Sequence, residues 1–165
     1  MPPIEIARWA LLVVLTLILG YAAAIDVKER RIPNWTVLAV AGLFVGWAIA
    51  GPSVSLLGSL EAALVMFLLT VGLYLMKVVG AGDSKLVSAV ALFVGIQHLP
   101  LFVLMMSLAG GAIALFMLAL SPRRVLAIIQ TRGQVGFGRS VPYGVAIALA
   151  TVGTLVPQVT GIPLW

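Results

Sequence analysis

Apolar runs of membrane-crossing length follow one another along almost the whole chain, separated only by short stretches of charge, glycine and proline. A helix needs about 20 apolar residues to cross roughly 30 Å of hydrocarbon. Backbone immersed in lipid must satisfy its own hydrogen bonds, and continuous apolar runs do so as α-helices. The shortage of charge agrees: only 9% of the 165 residues are charged and 62% are hydrophobic, where a soluble domain keeps about a quarter of its residues charged. The pattern predicts an all-α, polytopic integral membrane protein, one domain over residues 1–165 with about six spans: 9–25, 35–50, 56–76, 84–99, 101–120 and 141–156.

The breaks between spans are chemically sensible. Lys28-Glu29-Arg30-Arg31 with Pro33 ends the first, Gly51-Pro52-Ser53 the second and the glycine-rich Gly80–Asp83 the third. Gln97-His98-Leu99-Pro100 separates the fourth from the fifth, and Ser121-Pro122-Arg123-Arg124 closes the fifth. Pro142 falls in the first turn of the sixth, where a missing N–H costs nothing. The fourth span is short, since Leu86–Ile96 alone covers about 16 Å of helix, and a re-entrant segment is the alternative. Charge favours crossing. With six spans and an outer N-terminus, nine of the ten Lys and Arg residues lie on the cytoplasmic side and only Arg8 lies outside, as the positive-inside rule requires. A cleaved signal peptide ending near Ala22-Ala23-Ala24 would export the Lys28–Arg31 cluster against that rule.

Several function classes drop out. There is no cysteine and a single histidine, His98, so disulfides, thiol nucleophiles and cysteine or His-rich metal sites are excluded. The net charge of +5 comes from basic residues scattered between apolar runs. That pattern encodes topology and points to the lipid bilayer as partner, with no nucleic acid.

Of the five acidic residues, Glu5 lies near the outer end and Glu29 sits inside a basic cluster. Asp26 and Asp83 lie at span ends, at one predicted depth on the cytoplasmic side, although 57 residues apart in sequence. Two carboxylates that meet share a proton, because adjacent like charges resist joint ionisation. One then activates water as a base while the other protonates a carbonyl as an acid. A structural reading stands beside this one: Asp83 as the N-cap of the fourth span, and Asp26 paired with Arg30 one turn on. The context Gly80-Ala81-Gly82-Asp83-Ser84-Lys85-Leu86 adds two glycines that permit positive φ and close approach of a substrate strand. A helix N-terminus also favours the ionised acid.

Asp26-Val27-Lys28-Glu29-Arg30-Arg31-Ile32-Pro33-Asn34 resembles the first-aspartate motif of the prepilin peptidases. Gly80–Leu86 resembles their second motif, of Gly-x-Gly-Asp type, and Val141-Pro142-Tyr143-Gly144 the motif opening their last span. The order is the family's and the likeness covers nearly the whole chain. The resemblance implies a bacterial inner-membrane aspartic endopeptidase, with Asp26 and Asp83 as its catalytic pair. It would remove the basic leader of type IV-like prepilins after a glycine at the cytoplasmic face. Long members of the family carry a cysteine-bearing cytosolic insertion that methylates the new N-terminus. This chain lacks cysteine and the room for such a domain, and so resembles the short form associated with tight-adherence (Flp) pili, which implies proteolysis without methylation and with no metal or cofactor. Presenilin-like proteases also use Gly-x-Gly-Asp, but on neighbouring spans and with a later Pro-Ala-Leu motif. The resemblance further implies an acidic residue early in the mature pilin, for which Lys28, Arg30 and Lys85 are candidate partners. Gly80, Gly82, Pro142, Tyr143 and Gly144 are candidate supporting residues.

The remaining features have plainer readings. Glu61 is a polar intramembrane group or, in the favoured reading, an interfacial carboxylate. Trp9, Trp35, Trp47 and Trp165 suit an aromatic belt, and Gly110-Gly111 suit close helix packing. Lys85 is equally a substrate contact or a topology anchor. Gly133–Gly138 with Arg139 forms a cover over the site or a plain connector. The competing function class is a non-enzymatic membrane protein, a small transporter or a pilus assembly subunit. A transporter needs polar groups along a path through the membrane, and here most acids gather at one face.

Overall fold

A computed structural model describes residues 3–50, 55–120 and 142–161, and all of its regular structure is helical. The order is α1 (Pro3–Glu29), α2 (Asn34–Ile49), α3 (Leu56–Leu75), α4 (Ala81–Leu120) and α5 (Tyr143–Thr160). The Gly51-Pro52-Ser53, Ser121–Arg124 and Gln130–Ser140 connections, Val141 and Trp165 lie outside the described residues. Four helices, α1, α3, α4 and α5, are long and apolar enough to cross a bilayer, and α2 is a shorter apolar helix. The molecule is a polytopic helical membrane protein.

The predicted fourth and fifth spans form one element, α4, broken at Gly95. Gly95 adopts φ 72° and ψ 162°, a region essentially restricted to glycine. Val87 and Gly110 line one cavity, yet along a straight helix they would stand about 35 Å apart. The chain therefore doubles back at Gly95, giving two rods, 81–94 and 96–120. Gln97–Pro100, where the sequence places the break, lies within the second rod. Proline near the start of a rod forfeits little backbone hydrogen bonding, whereas the reversal needs a conformation only glycine supplies. The Gln158 side-chain amide donates to the Val94 carbonyl at 3.4 Å, tying α5 to the reversal.

α4 is the organising element, packing on α2, α3 and α5, while α1 packs on α2 and α5. Lipid tails are as apolar as leucine, so packing rather than water exclusion holds such helices together. Small buried residues permit close approach: Ala22 and Ala23 on α1, Ala89 and Ala91 on α4, Ala146 and Ala150 on α5. Phe93 is the central large side chain, edge-on to Phe44 at 5.4 Å and tilted against Trp47 at 5.7 Å. Trp47 is buried and so belongs to this core, not to the aromatic belt that the sequence alone assigned it to. Large side chains such as Leu57, Leu64 and Leu68 on α3 face outward, as lipid contact requires.

Gly95→Ala is expected to lower the thermal midpoint of the purified protein in detergent. The added Cβ imposes a backbone strain of about 1–3 kcal/mol. Melting at the wild-type temperature would mean that the rods reverse without that conformation.

Candidate active site at one end of the bundle

Asp26 sits in the last turn of α1 and is buried, 6% exposed. The carboxylate oxygen Oδ2 accepts the Gly144 backbone N–H at 2.9 Å. Gly144 follows Tyr143 in the first turn of α5, where backbone N–H groups have no partner within the helix. Pro142 is the N-cap itself rather than a first-turn residue, and it carries no N–H. A residue 118 positions away thus caps the helix, and the positive end of the α5 dipole faces the carboxylate. The fit is close: a Cβ on Gly144 would lie 3.1 Å from Asp26 Cβ and Oδ2 and 3.3 Å from Ala23 Cα. The Arg30 guanidinium interacts electrostatically with Asp26, and the Arg30 N–H donates to the Asp26 carbonyl at 3.0 Å as the chain leaves α1. Arg30 takes φ 56° there.

Asp83 stands in the first turn of α4, as its third residue and not at its N-cap. Oδ2 accepts the Gly80 N–H at 3.3 Å, the back-reaching half of a capping box. The two glycines before Asp83 are not in positive φ, a conformation confined among described glycines to Gly95 and Gly161. They act by lacking a side chain. A Cβ on Gly80 would meet Asp83 Oδ2 at 2.8 Å, and one on Gly82 would meet Ile32 Cβ at 3.1 Å. The second contact presses the start of α4 against the turn that leaves α1. Lys85 reaches across to Asn34 Oδ1 at 3.5 Å, and the Ser84 hydroxyl donates to the Thr70 carbonyl on α3 at 3.2 Å.

These contacts bring the two aspartates to one end of the bundle, close enough for their charges to interact. Both backbone anchors use Oδ2, so neither backbone donor occupies Oδ1. Beside Asp83 a cavity of about 300 Å³ opens between α3, the two rods of α4 and the start of α5, with Tyr143 on its wall. Pro142, Tyr143, Gly144, Gly80 and Gly82 are all at the site. Lys85 and Lys28 are exposed at the same end. Glu61 is exposed on α3, and His98 lies beyond the Gly95 reversal. Ile32, Ser84 and Thr70 were not singled out from the sequence. Ile32 and Ser84 sit inside the recognised motifs, but Thr70 carries no local signal.

The fold and site define a helical membrane protein with a carboxylate pair gathered at one end of its bundle. Residues 13–115 match the type IV leader peptidase family. The chain belongs to that family, and it is a membrane-embedded prepilin peptidase, a hydrolase acting on prepilins. Comparisons with the curated proteins and with the solved structures return no significant match.

Proposed function

We propose that the protein is an aspartic endopeptidase of Gly-x-Gly-Asp type. It cleaves the basic leader of a small Flp-type prepilin after a glycine, at the cytoplasmic face of the bacterial inner membrane, and leaves the new N-terminus unmethylated. The observation that carries this reading is the convergence of Asp26 and Asp83, from opposite ends of a 57-residue separation, beside an apolar cavity. Helix caps need no such meeting.

Hydrolysis on this pair follows ordinary acid–base rules. One carboxylate takes a proton from water as its oxygen attacks the scissile carbonyl. The protonated partner gives its proton to the carbonyl oxygen, forming a neutral gem-diol. The first carboxylate then passes its proton to the amide nitrogen while the second takes one back from a gem-diol hydroxyl, so the carbonyl re-forms as the C–N bond breaks, releasing the leader acid and the pilin amine. The pair ends with the single shared proton it began with. The α5 N-terminus and the Gly80 amide hold the carboxylates in place through the cycle.

The test is cleavage of a matched prepilin by purified protein in detergent, with chelator present. Mass spectrometry is expected to find a leader ending in glycine and an unmethylated pilin. Metal dependence would remove the aspartic mechanism while sparing the substrate. For topology, a single cysteine at Gln134 is expected to resist an impermeant thiol reagent applied from the outer face. Labelling there would invert the orientation.

A further inference from the structure

The cavity beside Asp83 is built for apolar groups. Its walls carry Leu69 and Leu73 from α3, Val87 from the first rod of α4, Met106 from the second and Ile147 from α5. Polar character is confined to a few groups, among them Asp83, Thr70 and Tyr143. One end therefore touches the carboxylate while the rest runs along the helices into the depth of the bundle. Gly111 lines this space, and a Cβ there would meet nothing within 4 Å. Close helix packing therefore does not explain Gly111. Its neighbour Gly110 is buried, and a Cβ there would reach Ala146 and Tyr143 at 3.8 Å. Of the glycine pair, one packs and the other leaves volume open.

We infer that this cavity receives the apolar side chains of the substrate on the membrane side of the scissile bond, and that Gly111 sets how large they can be. The inference rests on the protease reading. A substrate whose apolar segment continues from the cleaved bond into the bilayer must lay its first residues along the helices that frame Asp83. The cavity is a concave, largely apolar surface continuous with that carboxylate. Gly111 shares one face of its rod with Ser107 and Ala114, which also line the cavity, so a side chain added there extends along that lining face without meeting a neighbouring atom. Because glycine is a poor helix former, leucine there also favours the rod.

The experiment compares two prepilins differing only in the three residues after the cleaved bond, bulky apolar in one and alanine in the other. Wild-type protein is expected to cleave both. Gly111→Leu is expected to lose tenfold or more in kcat/KM on the bulky substrate while staying within about twofold on the alanine one, with Gly111→Ala between. Ala114→Leu, on the same wall, is expected to repeat the pattern and serves if Gly111→Leu folds poorly. Gly42→Leu, also at an unencumbered helical glycine, is expected to change neither rate. Equal loss on both substrates, or no loss on either, would overturn the subsite. If wild-type protein cleaves neither, or Asp83→Asn cleaves like wild type, the protease reading itself falls and takes the subsite with it.

Discussion

Asp26→Asn and Asp83→Asn are each expected to abolish prepilin cleavage, by about a hundredfold at the least, while protein level and melting temperature hold. The structure explains the second half. An asparagine carbonyl at position 26 still accepts the Gly144 N–H, and one at position 83 still accepts the Gly80 N–H, so both anchors survive. What disappears is the exchangeable proton of the pair. Neither carboxylate alone both activates water and protonates the carbonyl, so the double variant is expected to cost little more than either single one, as for groups acting as a unit. Asp→Glu keeps the charge but shifts the carboxylate by about a bond length, and misplacement on that scale costs about a hundredfold. A capping role predicts the opposite pattern: asparagine caps as well as aspartate, and losing a cap costs about 1 kcal/mol of stability. Near-normal processing by Asp83→Asn would leave only the cap.

Gly144→Val is expected to remove activity nearly as completely, although residue 144 never touches the reacting bond. Its Cβ would stand 3.1 Å from Asp26 and 3.3 Å from the Ala23 backbone. Backbone cannot rotate aside as a side-chain tip can, so α5 must move away from α1. That stretches the 2.9 Å hydrogen bond and frees the Asp26 carboxylate to turn. Gly144→Ala needs a shift of a few tenths of an ångström and is expected to lose about tenfold in kcat, with KM little changed, because placement of a catalytic group is affected more than binding. Gly153→Ala, on the same helix with nothing within 4 Å, is the control. Wild-type kcat for Gly144→Val would show that Asp26 is positioned without α5.

The class of protein was legible because membrane insertion is a property of local composition: a run either is or is not apolar enough to leave water. The ends of α2 and α3 fall within one residue of the predicted limits for that reason, whereas α1 starts six residues before its predicted span and ends four beyond it. The reversal in α4 was misplaced because Pro100 is the louder local signal, while Gly95 looks like any helical glycine. Only the need to set Val87 beside Gly110 selects its conformation. Trp47 was misassigned in the same way, since a tryptophan near a span end reads as interfacial until Phe93 is known to lie against it.

The site divides along the same line. Sequence alone singled out Asp26, Asp83 and the Pro142-Tyr143-Gly144 turn, because motifs are contiguous and their residue types chemical. It did not determine why the glycines are there. Gly80 makes room for the Asp83 carboxylate, Gly82 for Ile32 and Gly144 for Asp26, and these are facts about partners up to 118 residues away. The volume beside Gly111 is likewise a property of α3, both rods of α4 and α5 packed together, carried by no single one of them. Apolar content and motif chemistry are written residue by residue, whereas an empty space and a close approach exist only once the helices have packed.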